Sequence, residues 1–314
     1  MEHLYDVIII GGGPAGYTAA LYSARAGLST LLLEKSAPGG QMISTNIIDN
    51  FPGFENGIDG VTLGEKMRQN AERFGARTEF CTVISVSLTG RVKSIKTDEE
   101  DYESQSVIIA TGAEPKKLGI HGEVELIGRG VSYCAACDGM LYRNKDIVIA
   151  GGGNSAAVDA VQLSRLCNSV TLVNIGDTMT CESAYTEILN GTRNIRILNH
   201  SSIDMLMWDD VLTGVVVRDV YTGITQPVPC DGLFISIGRA PSTDIFRGQL
   251  ALDQEGCIIA DETTGTNIPR VFAAGDVRSK PLRQIVTAVC DGAVAAHFAH
   301  KYLSQPAVEK TFMM

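Results

Sequence analysis

Asp6-Val-Ile-Ile-Ile-Gly11-Gly-Gly-Pro-Ala-Gly16 decides the fold, and Asp146-Ile-Val-Ile-Ala-Gly151-Gly-Gly, 140 residues later, repeats it. Each stretch is an apolar run ending in glycines, the pattern of a buried parallel strand feeding a G-x-G-x-x-G/A turn. Such a turn lets the backbone approach a pyrophosphate, and the helix that follows points its N-terminus at the same anion. In the first copy residues 6–10 read as the strand, 14–26 as an alanine-rich helix stopped by Gly27, and 31–33 as the next strand. In the second, Gly151, Gly153 and Ala156 keep the signature, with a helix expected over 155–166 and a strand over 170–173. Arg25, Ser29 and Leu32 recur as Arg165, Ser169 and Leu172.

The copies differ where a ribose would be held. Beyond its second strand the first carries Glu34, a carboxylate placed to accept hydrogen bonds from ribose hydroxyls, and the second has Asn174 in the same column. An NAD site wants an acid at position 174, and an NADP site wants arginines just beyond it to neutralise a 2′-phosphate. The stretch Asn174-Ile-Gly-Asp-Thr-Met-Thr-Cys181 has one charge, Asp177, which repels a phosphate. The first loop reads as a working FAD or NAD site. The second reads as a retained shape, with a weak ribose bond from Asn174 as the competing reading.

A length of 314 residues suggests two domains at about 150 residues each. No apolar run reaches the ~18 residues of a membrane helix, residues 1–5 lack a signal-peptide pattern, and the expected location is cytoplasmic. The net charge of −10 argues against nucleic acid and against an anionic membrane surface as partners. Helix and strand patterns break near 113–115 and again near 238–241. The expected domains are therefore 1–114 with 245–314, and 115–244 inserted between them; Val271-Phe-Ala-Ala-Gly-Asp276 resumes the strand chemistry of the first half. The acidic run 98–101 is expected to be a solvated hairpin turn.

Eight cysteines in a chain of this size do not make a secreted disulfide scaffold. Cys81, Cys167, Cys181, Cys230, Cys257 and Cys290 stand alone and are expected to be buried and inert. Cys134-Ala-Ala-Cys137 is different. Two cysteines with two small residues between them can close a short disulfide, and a helix starting after the first favours its thiolate, which suits dithiol exchange. Zinc is the rival, but a structural zinc needs four ligands and no second C-x-x-C or H-x₃-H exists; His297 and His300 sit three apart on an amphipathic segment and read as core or surface. An idle buried pair is a third reading. Asp138 could exchange the proton that thiolate chemistry requires, or be an ordinary acid at a helix N-terminus.

Across nearly the whole chain, Gly11-Gly-Gly-Pro-Ala-Gly16, Pro38-Gly-Gly-Gln41, Asp49-Asn-Phe-Pro-Gly-Phe54, Ala110-Thr-Gly112, Gly128-Arg-Gly-Val-Ser-Tyr-Cys-Ala-Ala-Cys-Asp-Gly139, Phe272-Ala-Ala-Gly-Asp276 and Arg283-Gln284 resemble the low-molecular-weight flavoprotein thioredoxin reductases. The resemblance implies an α/β fold of two Rossmann-like dinucleotide-binding-type domains, the second inserted in the first, and a homodimer. It implies that Gly11, Gly13, Gly16 and Glu34 hold the diphosphate and ribose of FAD, that Pro14, Ala15 and Lys35 belong to the same cofactor site, and that Gly40, Gln41 and Asn50 lie along the flavin. Asp276 would bind the ribityl chain and Gln284 the ring, with Val83, Ala110, Thr111, Gly112, Arg283 and Ile285 completing the cofactor site and no metal. Cys137 would face the flavin and Cys134 attack the disulfide of thioredoxin, with Asp138 as the acid.

The departure is at the second loop. NADPH-using members carry His-Arg-Arg and a further arginine where this chain has Asn174, Ile175, Gly176 and Thr180, and an acid where it has Val158. In this the chain resembles the nucleotide-independent branch, in which ferredoxin reduces the flavin; Lys116, Lys117, Arg278, Lys280 and Arg283 are candidates for a basic patch facing it. The alternatives are an NAD(P)H-dependent reductase with an atypical pocket, a flavin dithiol oxidase using oxygen, and a non-catalytic flavin-bound redox sensor.

Overall fold

The computed structural model describes residues 4–44 and 47–304. The chain opens with β1 (Leu4–Ile10), α1 (Pro14–Arg25), β2 (Thr30–Glu34), α2 (Gly60–Glu72), β3 (Arg77–Phe80), β4 (Val83–Ser87), β5 (Lys93–Thr97), β6 (Asp101–Ile109) and β7 (Ala113–Pro115). It continues through β8 (Val131–Ser132), α3 (Ala135–Asp138), β9 (Asp146–Ala150), α4 (Asn154–Ser164), β10 (Ser169–Val173), α5 (Ser183–Gly191) and β11 (Ile195–Leu198). Strands β12 (Ser201–Trp208), β13 (Leu212–Asp219), β14 (Thr225–Pro229) and β15 (Gly232–Ile235) follow, and β16 (Arg239–Pro241), β17 (Val271–Ala273) and α6 (Ile285–Ser304) close the described chain.

Two compact units result: residues 115–239 form one, and the segments on either side of them form the other. The second crossing lies at Arg239 and Ala240, ahead of the boundary expected between 244 and 245. The reason is local bonding: the N–H of Ser242 donates to Gly112 O at 3.0 Å, Thr111 Oγ1 donates to Ser242 O at 2.8 Å, and Thr243 Oγ1 donates to Gly256 O at 2.8 Å. Residues 240–244 thus belong with the first unit.

The first unit is built on a seven-stranded sheet in the order β3-β2-β1-β6-β5-β4, with β17 alongside β6. Strands β3, β2, β1, β6 and β17 are parallel, and β5 and β4 add an antiparallel flank, with the acidic hairpin turning β5 into β6. Alternation along β1 splits its side chains between two cores: Ile8 and Ile10 join Leu31, Leu33, Val107 and Ile109, and Val7 and Ile9 join Tyr17, Ala20 and Leu32 under the small-residue faces of α1 and α6. The second unit has a parallel sheet, β11-β10-β9-β15-β8, and an antiparallel β12-β13-β14 sheet.

The sequence repeat is a structural repeat. β1 pairs with β2 as Val7↔Thr30, and β9 pairs with β10 as Ile147↔Val170. Asp6 Oδ2 accepts from Ser29 Oγ at 3.0 Å, and Asp146 Oδ1 accepts from Ser169 Oγ at 2.6 Å, the same strand-to-strand clasp. Among the described residues, no helix is long and apolar enough to cross a membrane.

Candidate active site

Gly11 has φ +105°, and a Cβ there would lie 2.5 Å from Ala110 O. A Cβ on Gly16 would lie 1.8 Å from Gly11 O, so the first turn of α1 closes onto the loop only because position 16 is glycine. Gly13 is the opposite case: among the described residues nothing beyond its own chain neighbours lies within 4 Å of where its Cβ would be. The loop is packed behind and open in front, and α1 starts at Gly13 with no side-chain cap. A dinucleotide pyrophosphate fits such a cradle: open space over Gly13 and uncapped N–H groups at a helix start.

Glu34 ends β2 and is buried. Its Oε2 accepts the N–H of Gly12 at 2.6 Å and its Oε1 accepts that of Ser36 at 3.0 Å, which fixes the carboxylate beside the loop. A carboxylate has about four acceptor positions, so capacity remains for a hydroxyl. Lys35 points away, its Nζ 3.7 Å from Glu114 with both side chains exposed. Val83 lies two residues beyond Cys81, whose N–H donates to Glu34 O at 2.9 Å, and so borders the same end.

Several of the other expected residues of this unit meet the loop, and the rest meet one another or a small neighbouring core. Gly12 O accepts from the N–H of Gly39 at 2.8 Å, and a Cβ on Gly40 would lie 3.2 Å from Gly13 Cα. Gln41 donates to Ala113 O next to Gly112, and Ala110 abuts Gly11. Asn50 Nδ2 donates to Gln284 Oε1 at 3.0 Å, and Ile285 packs on the small core of Met42, Ile48 and Leu63. Asp276 sits in a 3₁₀ turn whose Gly275 lies against Ala15, and Arg283 Nε donates to the Asp276 carbonyl at 3.4 Å.

Sequence reasoning missed what anchors that turn. Asp291, on α6, accepts the N–H of Gly275 at 3.0 Å and Lys280 Nζ at 2.7 Å, with Arg278 Nη1 3.7 Å away. The Lys280 and Arg278 side chains are only 6% and 11% exposed, so these two cations are buried counter-ions of Asp291 and not the surface patch expected of them. The sequence gives no period linking 278, 280 and 291. Lys116 and Lys117 are exposed.

At the second loop the geometry is retained and the chemistry changes. Gly151 has φ +150°, with its Cβ position 2.3 Å from Ser236 O. Asn174 is 3% exposed, and its Nδ2 donates both to Gly176 O at 3.2 Å and to Asn199 Oδ1 at 2.9 Å, while its Oδ1 accepts from the N–H of Gly176 at 3.2 Å. Both amide hydrogens are spent on the protein. Thr180 donates its N–H to Gly152 O at 2.7 Å, and Asp177 is tied to Tyr221, whose hydroxyl donates to it at 2.7 Å, with His200 Nδ1 at 3.1 Å.

Cys134 and Cys137 are joined in a disulfide, with Cα atoms 5.3 Å apart. Cys134 is the N-cap of the single turn α3, so Cys137 and Asp138 both donate their N–H groups to its carbonyl, at 3.2 and 3.1 Å. Burial raises the Asp138 carboxyl above the ordinary aspartate range, partly offset by a hydrogen bond from Ser132. A raised carboxyl keeps its proton to higher pH than a free aspartate does, the direction a proton donor needs. Met140 and Leu141, immediately beyond, are 59% and 62% exposed, an apolar shoulder beside the disulfide. Of the six lone cysteines, four are buried, but Cys181 is half-buried and Cys290 is exposed, contrary to expectation. Cys290 follows Val286 by one turn on the outer face of α6, away from the buried Ala288, Gly292 and Ala295. Among the described residues no group of three or more His, Cys, Asp or Glu could hold a metal.

A family model described as pyridine nucleotide-disulphide oxidoreductase matches residues 5–292, and the chain belongs to that family. Within it the chain is a relative of the thioredoxin reductases. It is 41% identical over 305 residues to the thioredoxin reductase of Listeria monocytogenes, covering 97% of this chain and 95% of that protein. The crystal structure of thioredoxin reductase from Streptococcus pyogenes superposes with a TM-score of 0.90 at 39% identity, covering 96% of this chain and 99% of that one. A ferredoxin-flavin thioredoxin reductase from Clostridium acetobutylicum gives 0.52 at 30% identity, over 96% and 99%. The expected FAD/NAD(P)-binding disulfide reductase fold is the observed one, and the protein is an FAD flavoenzyme of thioredoxin reductase type.

Proposed function

We propose that this flavoenzyme reduces the disulfide of thioredoxin through Cys134 and Cys137 with electrons from reduced ferredoxin, and that no pyridine nucleotide serves as its donor. The observation that carries the choice of donor is the second loop: Asn174 has no amide hydrogen left for a ribose, and Asp177 stands where a 2′-phosphate would need cations.

The first loop, with Glu34, Gly40, Gln41, Asn50, Ala110, Thr111, Gly112, Asp276, Arg283, Gln284 and Ile285, holds FAD, with Lys35 and Val83 at the rim. When bound, FAD takes electrons singly and passes them on in pairs, which matches a one-electron donor to a two-electron disulfide. Two electrons and two protons open the Cys134–Cys137 bond. Cys134 as thiolate then attacks the thioredoxin disulfide, Cys137 displaces it from the mixed disulfide, and Asp138 supplies the proton taken up by the departing thioredoxin sulfur. The exposed Met140 and Leu141 offer an apolar seat for that protein partner. The protein works as a homodimer.

A second reading, an NAD(P)H-dependent reductase, is favoured by the intact Gly151 turn and by relatives more similar than the ferredoxin-flavin enzyme whose names specify no donor. Anaerobic mixing separates the two. Reduced ferredoxin should bleach the flavin absorbance within turnover time, and NADPH and NADH should leave it yellow. Rapid bleaching by micromolar NADPH would overturn the ferredoxin reading.

A further inference from the structure

Ser132 is the last residue of β8, paired to Phe234 of β15 and 4% exposed. Its Oγ donates to Asp138 Oδ2 at 2.6 Å, accepts the N–H of Cys134 at 3.0 Å, and lies 3.5 Å from the Cys134 carbonyl oxygen. One hydroxyl therefore joins the carboxyl of Asp138 to both backbone polar groups of the first redox cysteine. A serine hydroxyl has one hydrogen and two acceptor positions. With Asp138 ionised, the hydrogen goes to Oδ2 and a lone pair takes the Cys134 N–H. With Asp138 protonated, the carboxyl can donate to Oγ and the serine hydrogen can turn to Cys134 O, with no heavy atom moving.

We propose that Ser132 is a positioning residue for the thiol-disulfide step: it holds Asp138 against the cysteine turn in both protonation states and resets with each proton delivered. The inference rests on the reading of Asp138 as the acid. In the step it serves, a bond forms between Cys134 sulfur and one thioredoxin sulfur, the thioredoxin S–S bond breaks, and the departing sulfur takes the Asp138 proton. Asp138 is left as the carboxylate to which Ser132 again donates.

Beside the two cysteines, Tyr142 feels the charge of Asp138: its hydroxyl is pushed up to about 12, first by burial and then by Asp138, Cys230 and Asp231. On α4, packed against α3, Asp159 is engaged elsewhere, accepting from Ser236 Oγ at 2.8 Å.

The test uses FAD-loaded enzyme reduced anaerobically by one equivalent of dithionite, so the natural donor does not enter. The enzyme is mixed with oxidised thioredoxin, and the thiols gained by thioredoxin are counted by alkylation and mass of that protein across pH. The rate should fall as pH rises and Asp138 loses its proton. In Ser132→Ala the hydrogen bond favouring the carboxylate is gone, so this limb should move to higher pH and the plateau rate should drop about tenfold. Ser132→Thr, which keeps the hydroxyl, should restore both. An unmoved limb in Ser132→Ala, when Asp138→Asn has abolished it, overturns the role of Ser132. A limb that survives in Asp138→Asn overturns the reading of Asp138 instead. The infrared band of the protonated carboxyl, assigned by its loss in Asp138→Asn, gives the same answer without turnover: its titration must shift upward in Ser132→Ala.

Discussion

Gly13 and Gly16 stand three residues apart and do opposite work. Gly16 is glycine because Gly11 O occupies the space of a side chain, and Gly13 is glycine although none of the described residues beyond its chain neighbours occupies that space. Gly16→Ala should therefore destabilise the apoprotein by roughly 1–3 kcal/mol. Gly13→Ala should leave apoprotein stability within about 0.5 kcal/mol of the parent while weakening FAD binding at least about tenfold. Chemical denaturation of the apoproteins and flavin-fluorescence titration measure the two effects. At the same scale, Asp159 is raised above the ordinary aspartate range by burial, with Ser236 and Arg239 opposing. A carboxyl whose folded value exceeds its unfolded value makes the protein lose stability as pH rises from the unfolded value through the folded one. Asp159→Asn should thus raise the melting temperature at pH 7, and the advantage should fade as the pH falls toward about 4 and be gone below it. Single residues were also where the sequence was least legible. Glu34 announces itself by its distance from a glycine loop, but Ser132 reaches Asp138 across the bend between β8 and α3, which follows no helical or strand period.

At the scale of elements, the strand-turn-helix units were legible because hydrophobic period and glycine placement are local, and both copies formed with their boundaries shifted by a residue or two. The short β16 and the return of residues 240–244 to the first unit were not, because they depend on partners such as Gly112 and Gly256 that are distant or irregular. The start of α6 was partly read: Arg283 and Gln284 were expected near the cofactor, yet the cluster behind them was invisible. Asp291 there carries the charge balance for Lys280 and Arg278 and holds the turn of Gly275 and Asp276. Asp291→Asn would leave two buried cations without their carboxylate, and a loss of roughly 3–5 kcal/mol is expected. Denaturation of the FAD-loaded protein should show it, together with earlier release of flavin on heating.

For the whole molecule, each unit has its own hydrophobic cores: one set lines the two faces of the seven-stranded sheet, and another lies around the β11-β10-β9-β15-β8 sheet. Units with separate cores can unfold separately. Calorimetry should resolve two transitions, and removal of FAD should lower only that of the first unit, since a ligand stabilises what it binds. A single transition lowered as a whole by FAD removal would argue against independent units. The class of fold was readable at this scale because the 140-residue repeat spans it. The proposed donor, by contrast, rests on what the second loop lacks.

The distribution of sulfur has a practical consequence. Burial holds the Cys167 thiol at about 11 and the Cys230 thiol at about 12, and raises those of Cys81 and Cys257, so these four are shielded and protonated at neutral pH. Cys290 and the half-buried Cys181 give a constant background. Brief alkylation of the folded protein followed by mass measurement then counts electrons directly: two extra adducts mark each molecule whose 134–137 bridge is open. The chain carries its own redox ledger, legible without cofactor absorbance or any partner protein.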